Sequence, residues 1–153
     1  SATIVIQLAL HRGMEVHVAT RSEAEQERAH RMGAASTSGY DQLPPQPLDA
    51  AITFAPAGSV VVDALRATDR GGTVVVNAIH LDEIPAFDYG LLWHERSIRS
   101  VANVTRQDAT ELLALAGAIP LVTHHQEYGL ADANVALADL SAGRVSGAAV
   151  LVP

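Results

Sequence analysis

Short blocks of apolar and polar positions follow one another along this chain and predict alternating helices and strands. Residues 1–12 are apolar nearly all round, which is typical of a helix buried on several sides, and Gly13 predicts its end. Strands are expected at residues 16–20, 35–37, 49–54, 73–77, 98–103, 124–128 and 148–152. Further helices are expected at residues 22–32, 58–67, 108–119 and 131–140. Because strands alternate with helices, the pattern predicts an α/β fold built on a parallel sheet.

Local signals predict where some of these elements begin and end. Ser22 and Glu25 have the spacing of a capping box at the start of the second helix. Asp108 is expected to cap a later helix, with Glu111 three residues further on. Gly71-Gly72 is expected to form a turn immediately before a strand.

Composition excludes several classes of function. The chain has 153 residues, with 17 acidic and 10 basic side chains and a formal net charge of -7, which argues against a nucleic-acid partner. It has no cysteine, so it forms neither a disulfide framework nor a thiolate metal site. No apolar run is long enough to span a bilayer, and the first residues given do not have the pattern of a signal segment, so a cytoplasmic protein without a membrane partner is expected.

The tripeptide Thr20-Arg21-Ser22 follows the strand expected at residues 16–20. In a dinucleotide-binding unit, an acidic residue at this point bonds the ribose 2′-hydroxyl of NAD, whereas an arginine accommodates the 2′-phosphate of NADP. The tripeptide contains an arginine and no acid, so it predicts a preference for NADP(H) over NAD(H). The alternative, a solvated arginine beside a capping serine, stays open.

Short segments in a fixed order carry a resemblance over essentially the whole chain: Ile6-Gln7-Leu8-Ala9, Thr20-Arg21-Ser22, Gly33-Ala34, Leu48-Asp49-Ala50-Ala51, Phe54-Ala55-Pro56, Gly71-Gly72-Thr73-Val74, Asp132-Ala133-Asn134 and Gly143-Arg144. In these segments the chain resembles the cofactor-binding domain and C-terminal segment of the medium-chain zinc-type alcohol dehydrogenases and reductases. The resemblance implies a doubly wound parallel Rossmann-type sheet that lacks its first strand.

Two parts of that family have no counterpart in this sequence. When the chain is aligned on Ile6-Gln7, Ala2 falls at the third glycine position of the G-x-G-x-x-G fingerprint, and the first two glycines would precede Ser1. The catalytic domain with its zinc ligands is also missing. Residues 1–153 are therefore expected to be a dinucleotide-binding domain from a longer enzyme, with 121–153 returning towards the missing domain. The chain alone is expected to be inactive.

The resemblance also assigns cofactor contacts, most of them just after the ends of expected strands. Ala2 belongs to the pyrophosphate turn, while Thr20, Arg21 and Ser22 would meet the 2′-phosphate. The other candidates are Phe54, Ala55 and Pro56 at the ribose and adenine, Ala78 and Ile79 at the nicotinamide, and Asn103 and Arg106 at the diphosphate. From the residues alone, ordinary turns and paired loop arginines remain the alternative at these positions.

The seven histidines do not predict a metal site. His124 and His125 are neighbours in an expected strand, so they point to opposite faces and cannot easily share one ion. A zinc site needs three or four convergent ligands. His80 stands alone in a loop, and no pair of carboxylates suggests acid–base catalysis. No catalytic residue and no metal ligand is therefore expected within this chain.

The predicted parent protein is an NADP(H)-dependent, zinc-type alcohol dehydrogenase that interconverts alcohols with aldehydes or ketones. Its expected partners are the nicotinamide cofactor, a small alcohol or aldehyde, and a second copy of itself. The family commonly joins two cofactor domains edge to edge at the last strand of their sheet, which implies a dimer through the strand expected at residues 98–103. The zinc is expected only in the missing domain. Two alternatives remain: a catalytically inert α/β module, and a zinc-independent quinone or enoyl reductase of the same superfamily.

Overall fold

The computed structural model describes residues 2–153 and divides them between two compact units that meet in sequence at Leu115 and Ala116. The elements of the first unit are α1 (Ala2–His11), β1 (His17–Ala19), α2 (Glu23–Arg31), β2 (Ser36–Ser38), β3 (Leu48–Thr53), α3 (Gly58–Ala67), β4 (Thr68–Val76), a short 3-10 helix (Tyr89–Leu91) and β5 (Ser97–Ser100). Helix α4 (Arg106–Ala118) runs from the first unit into the second. The second unit continues with β6 (His125–Gly129), a 3-10 helix (Leu130–Asp132), α5 (Ala133–Ser141) and β7 (Ala148–Val152).

All strand pairs in the described chain are parallel, which confirms the predicted fold class. In the first unit β1 pairs with β2, and β3, β4 and β5 form a three-stranded sheet with β4 in the centre. Within residues 2–153, no hydrogen-bonded ladder joins β1 to β3. In a doubly wound sheet of order 3-2-1-4-5-6, the first strand lies between the second and the fourth, so a sheet without it would be divided into two groups such as these.

Helix α3 and the central strand β4 supply the larger core of the first unit. Val61 and Leu65 of α3 are buried against Val74 and Val76 of β4. Complete burial of side chains of this size contributes roughly 1.5–3 kcal/mol each. A smaller core joins Ile6 of α1 to Ala29 and Ala34 around α2.

Two local predictions were wrong. Gly71-Gly72 lies inside β4 and forms no separate turn: the β3–β4 register shifts between Leu48 and Ala50, and the Gly71 N–H donates to His94 O at 2.8 Å. Asp108 does not precede α4 but lies in its first turn. Its carboxylate accepts from the backbone N–H of Thr105 at 2.8 Å and from the Thr105 hydroxyl at 2.7 Å, so Thr105 starts the capping box.

In the second unit β7 pairs with β6 along its whole length. Tyr128 of β6 donates its hydroxyl to Asp139 of α5 at 3.0 Å, and Arg144 holds the same carboxylate with two N–H donors at 2.7 and 2.9 Å. These hydrogen bonds, that of Arg144 first, lower the pKa of Asp139. No helix in the described part of the chain is both long enough and apolar enough to cross a bilayer.

Candidate functional site

The carboxyl ends of β3, β4 and β5 lie at one edge of their sheet, because the three strands are parallel neighbours. Ligands of open α/β sheets bind at such an edge. The chain beyond it is tied to the strands: the Asn77 N–H donates to Thr53 O at 2.9 Å, and the Val101 N–H to Val76 O at 3.0 Å. The structure thus brings to one sheet edge the segments that contain Phe54, Ala55, Pro56, Ala78, Ile79 and Asn103.

These residues differ in exposure. Phe54, Ala55 and Ala78 are half-buried, whereas Pro56, Ile79 and Asn103 are exposed. Ile79, three residues after the central strand β4, is the extreme case, with 82% of its surface exposed. The edge therefore presents apolar surface from the two segments that follow β3 and β4, which suits a flat ring more than an ion.

Thr20, Arg21 and Ser22 connect β1 to α2. The Thr20 N–H donates to Ser38 O at 2.8 Å, and Gln26 Nε2 donates to Thr20 O at 2.7 Å, so the exit of β1 is fixed from both sides. Ser22 is the N-cap of α2, and its hydroxyl accepts from the Glu25 N–H at 3.3 Å. The capping box is only half formed, because the Glu25 carboxylate faces Arg28 at 3.5 Å.

Arg21 is exposed, and within residues 2–153 its guanidinium forms no ion pair. Its Cζ lies over the ring of Tyr40, 5.9 Å from the ring centroid, a cation–π distance. Tyr40 follows β2, the parallel neighbour of β1, so both side chains leave the same edge of the same strand pair. Sequence reasoning missed Tyr40. The available signal was its position three residues after the strand expected at residues 35–37.

The charge around Arg21 is mixed. The start of α2 favours anions through its unpaired amides and its dipole, but Glu23 and Glu25 already occupy the first turn. An additional anion at this point would therefore depend on the guanidinium of Arg21, which can offer two parallel donors to a phosphate.

Arg106 opens α4 and is exposed. Next to it, the hydrogen bonds from Thr105 lower the pKa of Asp108, so this carboxylate stays charged and holds the first turn of the helix. Ala2 opens α1 and is also exposed. The first turn of α1 contains no acidic residue, which leaves its N-terminus compatible with an anion.

The described residues contain no group of three or more His, Asp or Glu side chains that could hold a metal ion. His125 lies 3.4 Å from Glu127 on β6, a pair of exposed side chains without a third ligand. This part of the chain does not fit a zinc ion.

Comparison with known proteins decides the family. Residues 2–118 match the family model described as zinc-binding dehydrogenase. The chain belongs to the zinc-binding dehydrogenases. The resemblance to the medium-chain alcohol dehydrogenases is thereby confirmed.

A probable alcohol dehydrogenase, AdhA, from Mycobacterium tuberculosis (strain CDC 1551 / Oshkosh) is 47% identical over 153 residues. The match covers 99% of this chain and 44% of AdhA, so the chain spans less than half the length of this relative.

Solved structures share the fold at lower identity. A cinnamyl alcohol dehydrogenase from Sorghum bicolor superposes with a TM-score of 0.81 at 19% identity, over 97% of this chain and 44% of its own. The alcohol dehydrogenase of Aeropyrum pernix gives 0.77 at 21%, over 98% and 46%. A mycobacterial quinone oxidoreductase gives 0.78 at 20%, over 99% and 53%. Because alcohol dehydrogenases and a quinone oxidoreductase both match, the fold alone does not separate these activities.

Proposed function

We propose that this chain is the cofactor-binding part of a longer alcohol dehydrogenase that uses NADP(H) in preference to NAD(H). The observation that carries the alcohol dehydrogenase activity is the 47% identity to AdhA along nearly the whole chain. The cofactor preference rests on Arg21, an exposed arginine with no acidic residue beside it at positions 20 and 22.

Each part of the chain would then have a role in holding the cofactor. The guanidinium of Arg21 would pair with the 2′-phosphate, and the turn after β3 would pack on the ribose and adenine. The backbone of Ala78 and Ile79 would orient the nicotinamide, and Asn103 and Arg106 would meet the diphosphate. The bound nicotinamide supplies the hydride chemistry, and this chain supplies its position.

Zinc requires ligands from elsewhere. The described residues do not fit the ion. We therefore place the zinc and the alcohol or aldehyde in a part of the full-length protein that corresponds to the rest of AdhA. We also propose that the enzyme is a homodimer joined through β5, whose second edge is unpaired within residues 2–153.

Calorimetric titration of this chain with NADPH and with NADH tests the cofactor assignment. We expect NADPH to bind at least tenfold more tightly than NADH, which is the usual contribution of one charge-assisted hydrogen bond. No heat with either cofactor would instead support the inert module.

The activity is tested in the full-length protein that contains this chain. We expect NADP⁺-dependent oxidation of small alcohols that is lost when a chelator removes zinc. Quinone or enoyl reduction that survives chelation would identify the zinc-independent reductase.

A further inference from the structure

Helix α3 receives its cap from a distant part of the chain. Its N-cap residue, Ala57, has no side chain that can accept a hydrogen bond from the first turn. Instead the Gly58 N–H donates to Asp82 Oδ1 at 2.6 Å, across 24 residues. The carboxylate of Asp82 thus satisfies an amide that every helix leaves unpaired, and it lies at the positive end of the helix dipole.

The backbone after Asp82 also lies directly against α3. Gly58 is buried, and a Cβ at this position would overlap the carbonyl oxygen of Glu83 and lie 2.8 Å from the Cα of Ile84. Leu81 and Ile84 pack on the core formed by α3 and β4. Residues 81–84 are therefore fixed to α3 by a hydrogen bond, by close backbone contact and by apolar packing.

Residues 77–80, which connect β4 to this attachment, bridge the sheet edge. At the upstream end, the Asn77 N–H is bonded to Thr53 O at 2.9 Å. At the downstream end lies Asp82 with its bond to Gly58. Between them, Ile79 and His80 are exposed. The position of Ala78 and Ile79 thus depends on two anchors, and only the downstream one depends on a side chain.

We propose that Asp82 is a positioning residue that fixes Ala78 and Ile79 for the nicotinamide half of the cofactor. The inference rests on the proposed function, which gives these two residues their ligand. It predicts that the loss of Asp82 weakens contacts to the nicotinamide and leaves the contact to the 2′-phosphate unchanged, since the latter comes from Arg21 between β1 and α2.

Hydrogen exchange on the 153-residue chain tests the structural half of the proposal. Asp82→Ala should accelerate exchange at the Gly58 amide and at residues 78–81 by about tenfold or more, the effect of losing a charge-assisted hydrogen bond. Asp82→Asn keeps an acceptor oxygen and should restore most of the protection. The control Glu83→Ala removes the same charge from the neighbouring residue and should leave these exchange rates unchanged. The exchange rates of the β4 amides should stay the same in every variant.

Cofactor affinity tests the functional half. In Asp82→Ala, NADPH should bind about tenfold more weakly, whereas 2′,5′-ADP, which lacks the nicotinamide, should bind within about twofold of the unmodified chain. Asp82→Asn should recover NADPH binding.

The outcomes separate the two proposals. If the unmodified chain binds neither NADPH nor 2′,5′-ADP, the proposed function fails and this inference fails with it. If it binds both, and Asp82→Ala weakens both equally or neither, only the role of Asp82 is overturned.

Discussion

The proposed preference for NADP(H) depends first on Arg21. Arg21→Asp would remove the guanidinium and place a carboxylate where the 2′-phosphate is expected. NADPH should bind about ten- to a hundredfold more weakly, and NADH should bind as well as before or better. Parallel titrations with both cofactors measure this. Arg70→Asp makes the same charge change in the amino-terminal half of β4, away from the carboxyl edge, and should leave both affinities unchanged. Equal losses in the two variants would remove Arg21 from the site.

Tyr40 should contribute to the same preference by holding Arg21. Its ring lies under the guanidinium at 5.9 Å, and such a contact at an exposed site is worth about 0.5–1 kcal/mol, or roughly two- to fivefold in affinity. Tyr40→Ala should weaken NADPH binding by that factor and leave NADH binding alone. Tyr40→Phe keeps the ring face and should bind NADPH normally. If Phe fails as Ala does, the hydroxyl of Tyr40, and not its ring, would be the important group.

The residue scale also shows how far sequence reasoning reaches. Arg21 could be proposed as a cofactor contact from the sequence because its place after a strand follows from the local pattern. The contact of Tyr40 with Arg21 was missed because it requires the pairing of β1 with β2, a long-range fact. The bond from Gly58 to Asp82 was missed for the same reason, since no periodicity connects a helix start with a loop 24 residues later.

At the scale of elements, the start of the β6–β7 pair should depend on Gly147. This glycine has φ of +89, and a Cβ would overlap the carbonyl oxygen of His124. Gly147→Ala should lower the free energy of opening of these strands by about 1–3 kcal/mol, measured by hydrogen exchange at β6 and β7 amides. Gly117→Ala is the matched control. It lies within α4 with open space around it, and it should stabilise that helix by about 1 kcal/mol. Loss of protection in both variants would contradict the strain argument.

The first turn of α4 should weaken in acid. Because the hydrogen bonds of Thr105 lower the pKa of Asp108 in the folded chain, the charged form stabilises the fold above the ordinary aspartate pKa of about 3.9. That contribution is lost as the pH falls through the lowered folded-state pKa. Thr105→Val should raise the pKa of Asp108 towards its ordinary value in an NMR titration. Thr110→Val, which removes a hydroxyl bonded to Arg106 O on the same helix, should leave it unchanged. An Asp108 pKa insensitive to Thr105 would refute the assignment.

Elements whose ends are set locally were predicted well. The bounds of α3 and β7 agree with the sequence pattern, because an amphipathic stripe and an uninterrupted apolar run each define both ends. Gly71-Gly72 was wrongly predicted as a turn because its conformation depends on two long-range contacts. One is the hydrogen bond from the Gly71 N–H to His94 O, and the other is the pairing of Leu48 with Thr68. The cap of α4 was predicted at Asp108, three residues after its observed position at Thr105. The sequence could not separate the two, since Thr105 and Asp108 have the same spacing as Asp108 and Glu111.

At the scale of the whole molecule, the unpaired edge of β5 bears on assembly. Ile98 and Arg99 lie in this strand, and Arg99 carries its only charge, so little opposes pairing with another strand. Two copies related by a two-fold axis would pair this strand with itself and extend the sheet from three strands to six. We therefore expect dimers of this chain at roughly 10–100 µM in sedimentation velocity, near ordinary interface affinities.

The hydrogen-bond directions of β5 provide a variant that tests this dimer without unfolding the sheet. The Val101 N–H donates to Val76 O, and amide directions alternate along a strand, so the Ser100 N–H faces the unpaired edge. Ser100→Pro removes that donor and no donor to β4, and proline is tolerated on edge strands. It should convert dimer to monomer with helicity unchanged by circular dichroism, whereas Ser100→Ala keeps the N–H and should remain dimeric. A dimer that survives Ser100→Pro must be joined elsewhere. The edges of β1 and β3 would then be the surfaces to examine, because within the described chain each of these strands also has one edge without a neighbouring strand.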